Sequence, residues 1–281
     1  MKTNVIEEDI LEIISEFEED LSKLKGKTIL VTGGNGFLAS YLVDVLNTVS
    51  KKQNLQIKLI VLNKHEVTEN SRLSHLLNDP EVEFIAQDVG KPFEVPRTDI
   101  IIHAASHATP MTFKKYPLET IDANVNGVRT LLDYAKNNPV ENFIFFSSNA
   151  AYEVDSLDLR APYTESKRFA ETLCATYFRE YGVPIKILRI YHTYGPGMRP
   201  DKAVSEFFGK AEDTGGKVAL RDEGRALFSF SYVADVTREI LKVMFNGENG
   251  SAVEIGSNSK ISIKDLAKLI EGLHKIKRHR E

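Results

Sequence analysis

The chain has 281 residues, 42% hydrophobic and 27% charged, enough to bury a full core as one large α/β domain or as a domain with an added lobe. Its net charge of −4 argues against a nucleic-acid binder, which would carry a basic excess. The single cysteine, Cys174, excludes an intramolecular disulfide and a cysteine-based zinc site. No run reaches the length of a membrane span, and the acidic start does not resemble a signal peptide, so a cytoplasmic protein without membrane contact is expected.

Residues 5–24 place Ile6, Ile10, Ile13, Ile14, Phe17, Leu21 and Leu24 at helical spacing against an acidic face, which predicts an amphipathic helix packed on the sheet or on a partner chain. A strand at Thr28–Thr32, a glycine-rich turn and a helix carrying Leu38, Leu42, Val45, Leu46 and Val49 follow. Further apolar runs read as strands at Ile57–Leu62, Val82–Ala86, Ile100–His103, Phe143–Phe146 and Ile185–Ile190. Asn124–Lys136 and Ser166–Tyr181 read as helices between them, and Cys174 falls on the apolar face of the second. Unbroken apolar strands alternating with helices predict an α/β protein: a doubly wound parallel Rossmann sheet covered on both faces. After Gly195-Pro196-Gly197 the elements become short and mixed, which predicts a smaller C-terminal lobe. The division expected is a helix over 1–25, a dinucleotide-binding domain over 26–190 and a substrate lobe over 191–281.

Thr32-Gly33-Gly34-Asn35-Gly36-Phe37-Leu38 joins the first strand to its helix. Glycines there let the backbone approach a pyrophosphate, whose charge is met by N–H groups at the helix N-terminus. A glycine-rich turn is also found in ordinary βα units; its place between the first strand and helix is what favours a dinucleotide. At the end of the second strand stands Asn63, where a carboxylate would bind the adenosine ribose of NAD and repel a 2′-phosphate. Lys64, with Arg72, would attract such a phosphate, or Lys64 is simply a solvated loop lysine. NAD is the expected cofactor, with NADP not excluded. Asp88 follows the third strand and either accepts a bond from the adenine amino group or caps its loop.

Tyr163 and Lys167 stand four apart, on one face of a helix. A free tyrosine titrates at about 10 and is a poor base; a nearby ammonium and a positive nicotinamide ring favour its phenolate. Such a tyrosine can take a proton from an alcohol while hydride leaves the carbon. By spacing alone the pair is an ordinary surface pair. Ser148, at the C-terminal end of a buried strand where ligands bind in open α/β sheets, is what raises it, and its hydroxyl can hold the reacting oxygen. No His, Asp or Glu spacing suggests a metal.

With these residues in place, the chain resembles the extended short-chain dehydrogenases/reductases that act on nucleotide sugars, in particular their UDP-glucuronate decarboxylase-like branch. The resemblance runs from about Lys27 to about Leu269. Its carriers include the glycine turn, Gln87-Asp88-Val89, His103-Ala104-Ala105, Asn124-Val125-Asn126-Gly127, Ser147-Ser148, the Tyr163/Lys167 pair, Arg189-Ile190-Tyr191-His192-Thr193-Tyr194-Gly195-Pro196-Gly197-Met198 and Tyr232-Val233-Ala234-Asp235. It implies cofactor contacts from Gly33, Gly36, Phe37, Leu38, Asn63, Lys64, Asp88, Val89, Ala104, Ala105, Tyr163 and Lys167. It implies oxidation of a sugar carbon, usually C4, with Tyr163 as base, Lys167 on the nicotinamide ribose and Ser148 on the hydroxyl. His192, Arg199 and Arg225 are the implied contacts to a nucleotide sugar, most simply a UDP-sugar. A homodimer through the helices around 124–136 and 166–181 is implied as well.

The chain also departs from that pattern. Dehydratases of the group carry Asp-Glu after the strand-end hydroxyl residue and decarboxylase-like members carry Glu; here Asn149 and Ala150 stand there. Phe228 takes the place where relatives use an arginine for the diphosphate, and the stretch from Tyr152 to Tyr163 is short. The reading that survives is oxidation and re-reduction at C4, of epimerase type, with a decarboxylase- or dehydratase-like enzyme and a non-catalytic dinucleotide-binding relative as the alternatives.

Overall fold

The computed structural model describes residues 5–151, 155–198, 222–257 and 259–278. Its centre is a seven-stranded, wholly parallel sheet of order β3-β2-β1-β4-β5-β6-β9. These strands are β1 (Thr28–Thr32), β2 (Lys58–Asn63), β3 (Val82–Ala86), β4 (Ile100–His103), β5 (Asn142–Ser148), β6 (Ile185–Ile190) and β9 (Ala252–Ile255). The chain first winds outward from β1 and then outward from β4 in the opposite direction, so the topological switch point lies between these two strands.

Side chains alternate strictly across the sheet, as a two-residue period requires. Ile29, Val31, Leu59, Val61, Ile100, Ile102 and Ile144 face one layer; Leu30, Ile60, Leu62, Ile101, Phe143 and Phe145 face the other. The first layer holds α3 (Phe37–Gln53) and α7 (Val233–Asn246); the second holds α5 (Pro117–Asn137) and α6 (Ala161–Tyr181). Both long helices of the second layer begin earlier than apolar periodicity alone predicts. Pro117 and Pro162 sit in their first turns, where a missing N–H costs no helical bond.

The amphipathic N-terminal segment is two helices, α1 (Val5–Glu16) and α2 (Glu18–Ser22), broken at Phe17. Its apolar face is buried within the chain itself: Ile13 and Leu21 are inaccessible, and α1 packs on α3 and α7. Arg238 of α7 bonds Glu12 and Glu16 across this contact, and the Tyr232 hydroxyl donates to Asp9 at 2.7 Å.

The described residues beyond 190 divide between the main core and a second sheet. β7 (His192–Tyr194), β8 (Leu227–Tyr232) and β10 (Lys260–Ser262) make a small second sheet, followed by α8 (Ile263–Arg278). Between them, α7 and β9 return to the main core: Ile240, Leu241, Met244 and Ile255 are buried in the same cluster as Ile29 and Val31. The main sheet therefore draws its seventh strand from beyond the 190/191 boundary, because β6 would otherwise leave an apolar edge unpaired. Among the described residues, no helix is long and apolar enough to cross a membrane.

Candidate active site

The switch point carries the glycine turn on one side and Ala104–Ala105 on the other. Gly33 has φ +68°, and a Cβ on it would lie 2.7 Å from the Ala105 Cα. A Cβ on Gly36 would lie 2.8 Å from the Gly33 carbonyl. Gly36 is the N-cap of α3 and contributes no side chain there, so the first N–H groups of that helix, from Phe37 and Leu38 onward, open on the turn. Thr32 ties the two sides together: its carbonyl accepts from the Ala104 N–H at 3.1 Å and its hydroxyl meets His103 Nδ1 at 2.7 Å. His103 is fully buried, stacks on Phe145 and is pushed down to about 3 by burial and by the Lys167 charge; it is a packed neutral histidine.

These residues fit a dinucleotide. The turn is a cradle that a Cβ would fill, and the Asn63 Nδ2, at the end of β2, is buried without a partner while its Oδ1 accepts from the Asn35 N–H at 2.9 Å. Lys64 pairs with Asp88 at 3.0 Å. Val89 is buried against Gly127 of α5, where a Cβ would lie 3.1 Å from its Cγ2. Arg72 donates to the Asn35 carbonyl at 3.3 Å and to the Gly197 carbonyl at 3.0 Å, joining the glycine turn to the turn after β7.

Ser148, Tyr163 and Lys167 come together at the C-terminal end of β5. Ser148 faces the Tyr163 phenol and favours its ionised form, and the Ser148 Oγ accepts from the Ala150 N–H at 3.1 Å. The Tyr163 ring stacks on Phe113 of α4 (Pro110–Lys115), with centroids 5.3 Å apart. Burial raises the phenol above its ordinary value, and Ser148 offsets part of that. Lys167 Nζ donates to the Phe146 carbonyl at 2.7 Å and lies over the Phe145 ring. Burial pulls it down to about 7. Lys167 bonds the strand backbone, and desolvation is the largest cause of the shift in both groups.

One part of the site was not foreseen. Glu171, a helical turn beyond Lys167, accepts from the Ser147 hydroxyl at 2.5 Å and takes both the Nε and Nη2 of Arg189, at 3.1 and 2.7 Å. This partly buried fork pins α6 to β5 and β6 directly beneath the Tyr163/Lys167 turn. The signal was in the sequence: Glu171 follows Lys167 by four residues, on the face that α6 buries. Asn124 lies on α5 and donates from its Nδ2 to Ser166 at 2.9 Å, which fits a helix-positioning residue.

The substrate side is less assembled. His192 stands on β7 with its ring 5.3 Å from Phe228 and 5.8 Å from Phe230. Arg225 is exposed and paired with Glu223. Arg199 lies outside the described residues. Asp235 is in the first turn of α7 and pairs with Arg238; it does not cap the helix.

A parallel doubly wound sheet with a glycine turn at its switch point and a Ser–Tyr–Lys constellation at the neighbouring strand end defines a Rossmann-fold, nicotinamide-dinucleotide protein. The chain belongs to the NAD dependent epimerase/dehydratase family, whose profile matches residues 29–256. It is 32% identical over 263 residues to UDP-glucuronic acid decarboxylase 6 of Arabidopsis thaliana, an alignment that covers 88% of this chain and 74% of the relative. Among solved structures it is similar to a dTDP-glucose 4,6-dehydratase from Streptomyces venezuelae with NAD bound, at TM-score 0.73 and 26% identity over 86% of this chain and 79% of that one. It is also similar to a UDP-glucose 4-epimerase with UDP-glucose from Thermotoga maritima, at TM-score 0.72 and 25% identity over 88% and 82%. The family is NAD-dependent, and the glycine turn fits the pyrophosphate of a nicotinamide dinucleotide.

Proposed function

We propose that this protein interconverts nucleotide sugars by oxidising and re-reducing one sugar carbon, C4, as an epimerase. The observation that carries this reading is the meeting of Ser148 and Tyr163 at the end of β5, with Lys167 one helical turn on and no carboxylate at 149 or 150. NAD, when bound, would accept a hydride and give it back. Phe37, Leu38 and their neighbours at the start of α3 would hold its pyrophosphate, Asn63 its adenosine ribose and Lys167 its nicotinamide ribose. Ser148 holds the sugar hydroxyl, and Tyr163 takes its proton as the C–H bond breaks. Tyr163 gives the proton back when the carbonyl is reduced. Inversion requires only that the keto sugar turn over between the two steps, so no second acid–base pair is needed.

His192, Arg199 and Arg225 are the proposed contacts to the nucleotide diphosphate, and UDP is the nucleotide favoured by the UDP-sugar relatives. A second reading, UDP-glucuronate decarboxylation, is favoured by the identity to the Arabidopsis decarboxylase; Ala150, where such enzymes carry Glu, weighs against it. The test is incubation of the protein with UDP-, dTDP-, GDP- and CDP-sugars plus NAD⁺, followed by NMR. A C4 epimer supports the main reading, whereas a pentose product with loss of CO₂ supports the second. Ser148→Ala and Tyr163→Phe should each lower turnover by about 10²–10⁴-fold; unchanged chemistry in Tyr163→Phe sinks both readings.

A solution dimer through α5 and α6 belongs to the same proposal. Leu118 and Ile121 on α5 and Phe169 and Tyr181 on α6 are large, apolar and exposed on this two-helix layer.

A further inference from the structure

The end of β2 lacks the carboxylate that would tell NAD from NADP, and Asn63 cannot replace it. Asn63 turns its Oδ1 to the Asn35 N–H at 2.9 Å, and its Nδ2 donor is buried without a partner, aimed at the ligand side. A donor serves a ribose hydroxyl oxygen and a phosphate oxygen equally well. With Lys64 adjacent, this strand end by itself would welcome a 2′-phosphate, which carries nearly two negative charges at neutral pH.

The structure supplies the missing negative charge from another strand. β2 and β3 pair so that Asn63 stands opposite Ala86, and the Gln87 N–H donates to the Asn63 carbonyl at 2.7 Å. That register brings the loop after β3 against the end of β2. Asp88 is fixed within this loop independently of any lysine: its Oδ1 accepts from the Gly90 N–H at 3.0 Å. Its Oδ2 takes Lys64 Nζ at 3.0 Å.

We propose that Asp88 sets the cofactor choice of this chain: it neutralises Lys64 and places its own charge beside the β2 end, so that NAD is taken and NADP refused. The proposal rests on the dinucleotide-binding reading of the glycine turn. Any contact of Asp88 with the adenine is common to both cofactors and cancels in the ratio of their affinities, so that ratio is the quantity to read.

The test is titration of the full-length protein with NADH and with NADPH, followed by cofactor fluorescence, for wild type, Asp88→Asn, Lys64→Ala and the double variant. Wild type should favour NADH, and Asp88→Asn should move the ratio toward NADPH by about tenfold or more. Adding Lys64→Ala to Asp88→Asn should remove most of that gain. Lys64→Ala alone leaves Asp88 without its cation and should widen the preference for NADH, which keeps the idea testable should Asp88→Asn fold poorly. Equal wild-type affinities, an unmoved ratio in Asp88→Asn, or a gain that survives loss of Lys64 would overturn the assignment. A wild-type protein that binds neither cofactor would overturn the dinucleotide reading itself.

Discussion

Lys167 donates to the backbone carbonyl of Phe146 at 2.7 Å, and it does so as an almost fully buried side chain. The residue expected to act on a cofactor sugar thus sits in the core of the protein. One consequence concerns stability. The folded-state pKa is depressed to about 7, so the unfolded chain binds the extra proton between about 7 and the ordinary value of 10.5. The contribution is full above the ordinary value and declines as pH falls toward 7. Wild type should therefore gain stability relative to Lys167→Met as pH rises through this window, by up to about 1.4 kcal/mol per pH unit. Urea unfolding of both proteins at several pH values measures it; parallel curves would refute the buried lysine.

Glu171 takes both the Ser147 hydroxyl and the Arg189 guanidinium beneath the site, so losing its charge weakens two contacts of α6 at once. Glu171→Gln should cost about 2–4 kcal/mol in urea unfolding. Replacing Arg189 by leucine in the same protein should recover part of the loss, because the guanidinium that faced the Glu171 carboxylate goes with it. If the single and double variants are equally unstable, the fork is not the interaction that holds α6 in place.

Gly33 combines a positive φ with a Cβ position 2.7 Å from the Ala105 Cα. Gly33→Ala should pry β1 from β4 at the switch point. A loss of about 1–3 kcal/mol in stability is expected from the backbone strain alone, with NADH affinity lowered beyond detection in a fluorescence titration. A variant that binds NADH like wild type would show that the turn does not face the cofactor.

The exposed aromatic ring of Phe169 lies on the proposed pairing face of α6. Phe169→Asp should convert a dimer to a monomer in light scattering while leaving the thermal unfolding of the monomer nearly unchanged, as expected for a surface position. A wild-type monomer would remove the dimer from the proposal.

Much of this protein was legible in its residues because the information is local. Alternation of Val31, Val61 and Ile102 with Leu30, Leu62 and Ile101 requires a sheet covered on both faces. The glycines of the first turn and the four-residue step from Tyr163 to Lys167 are short-range geometry, and they put the turn and the pair where the fold needs them. Tertiary structure decided what no spacing encodes. Strand pairing brought Asp88 to Lys64, and helix-on-sheet packing brought Arg189 to Glu171. Packing also brought α7 and β9, far along the chain, back to the main core. The protonation of Lys167 was decided the same way. Sequence placed the lysine beside the tyrosine, but desolvation depends on everything packed around it, and that is a property of the folded chain alone.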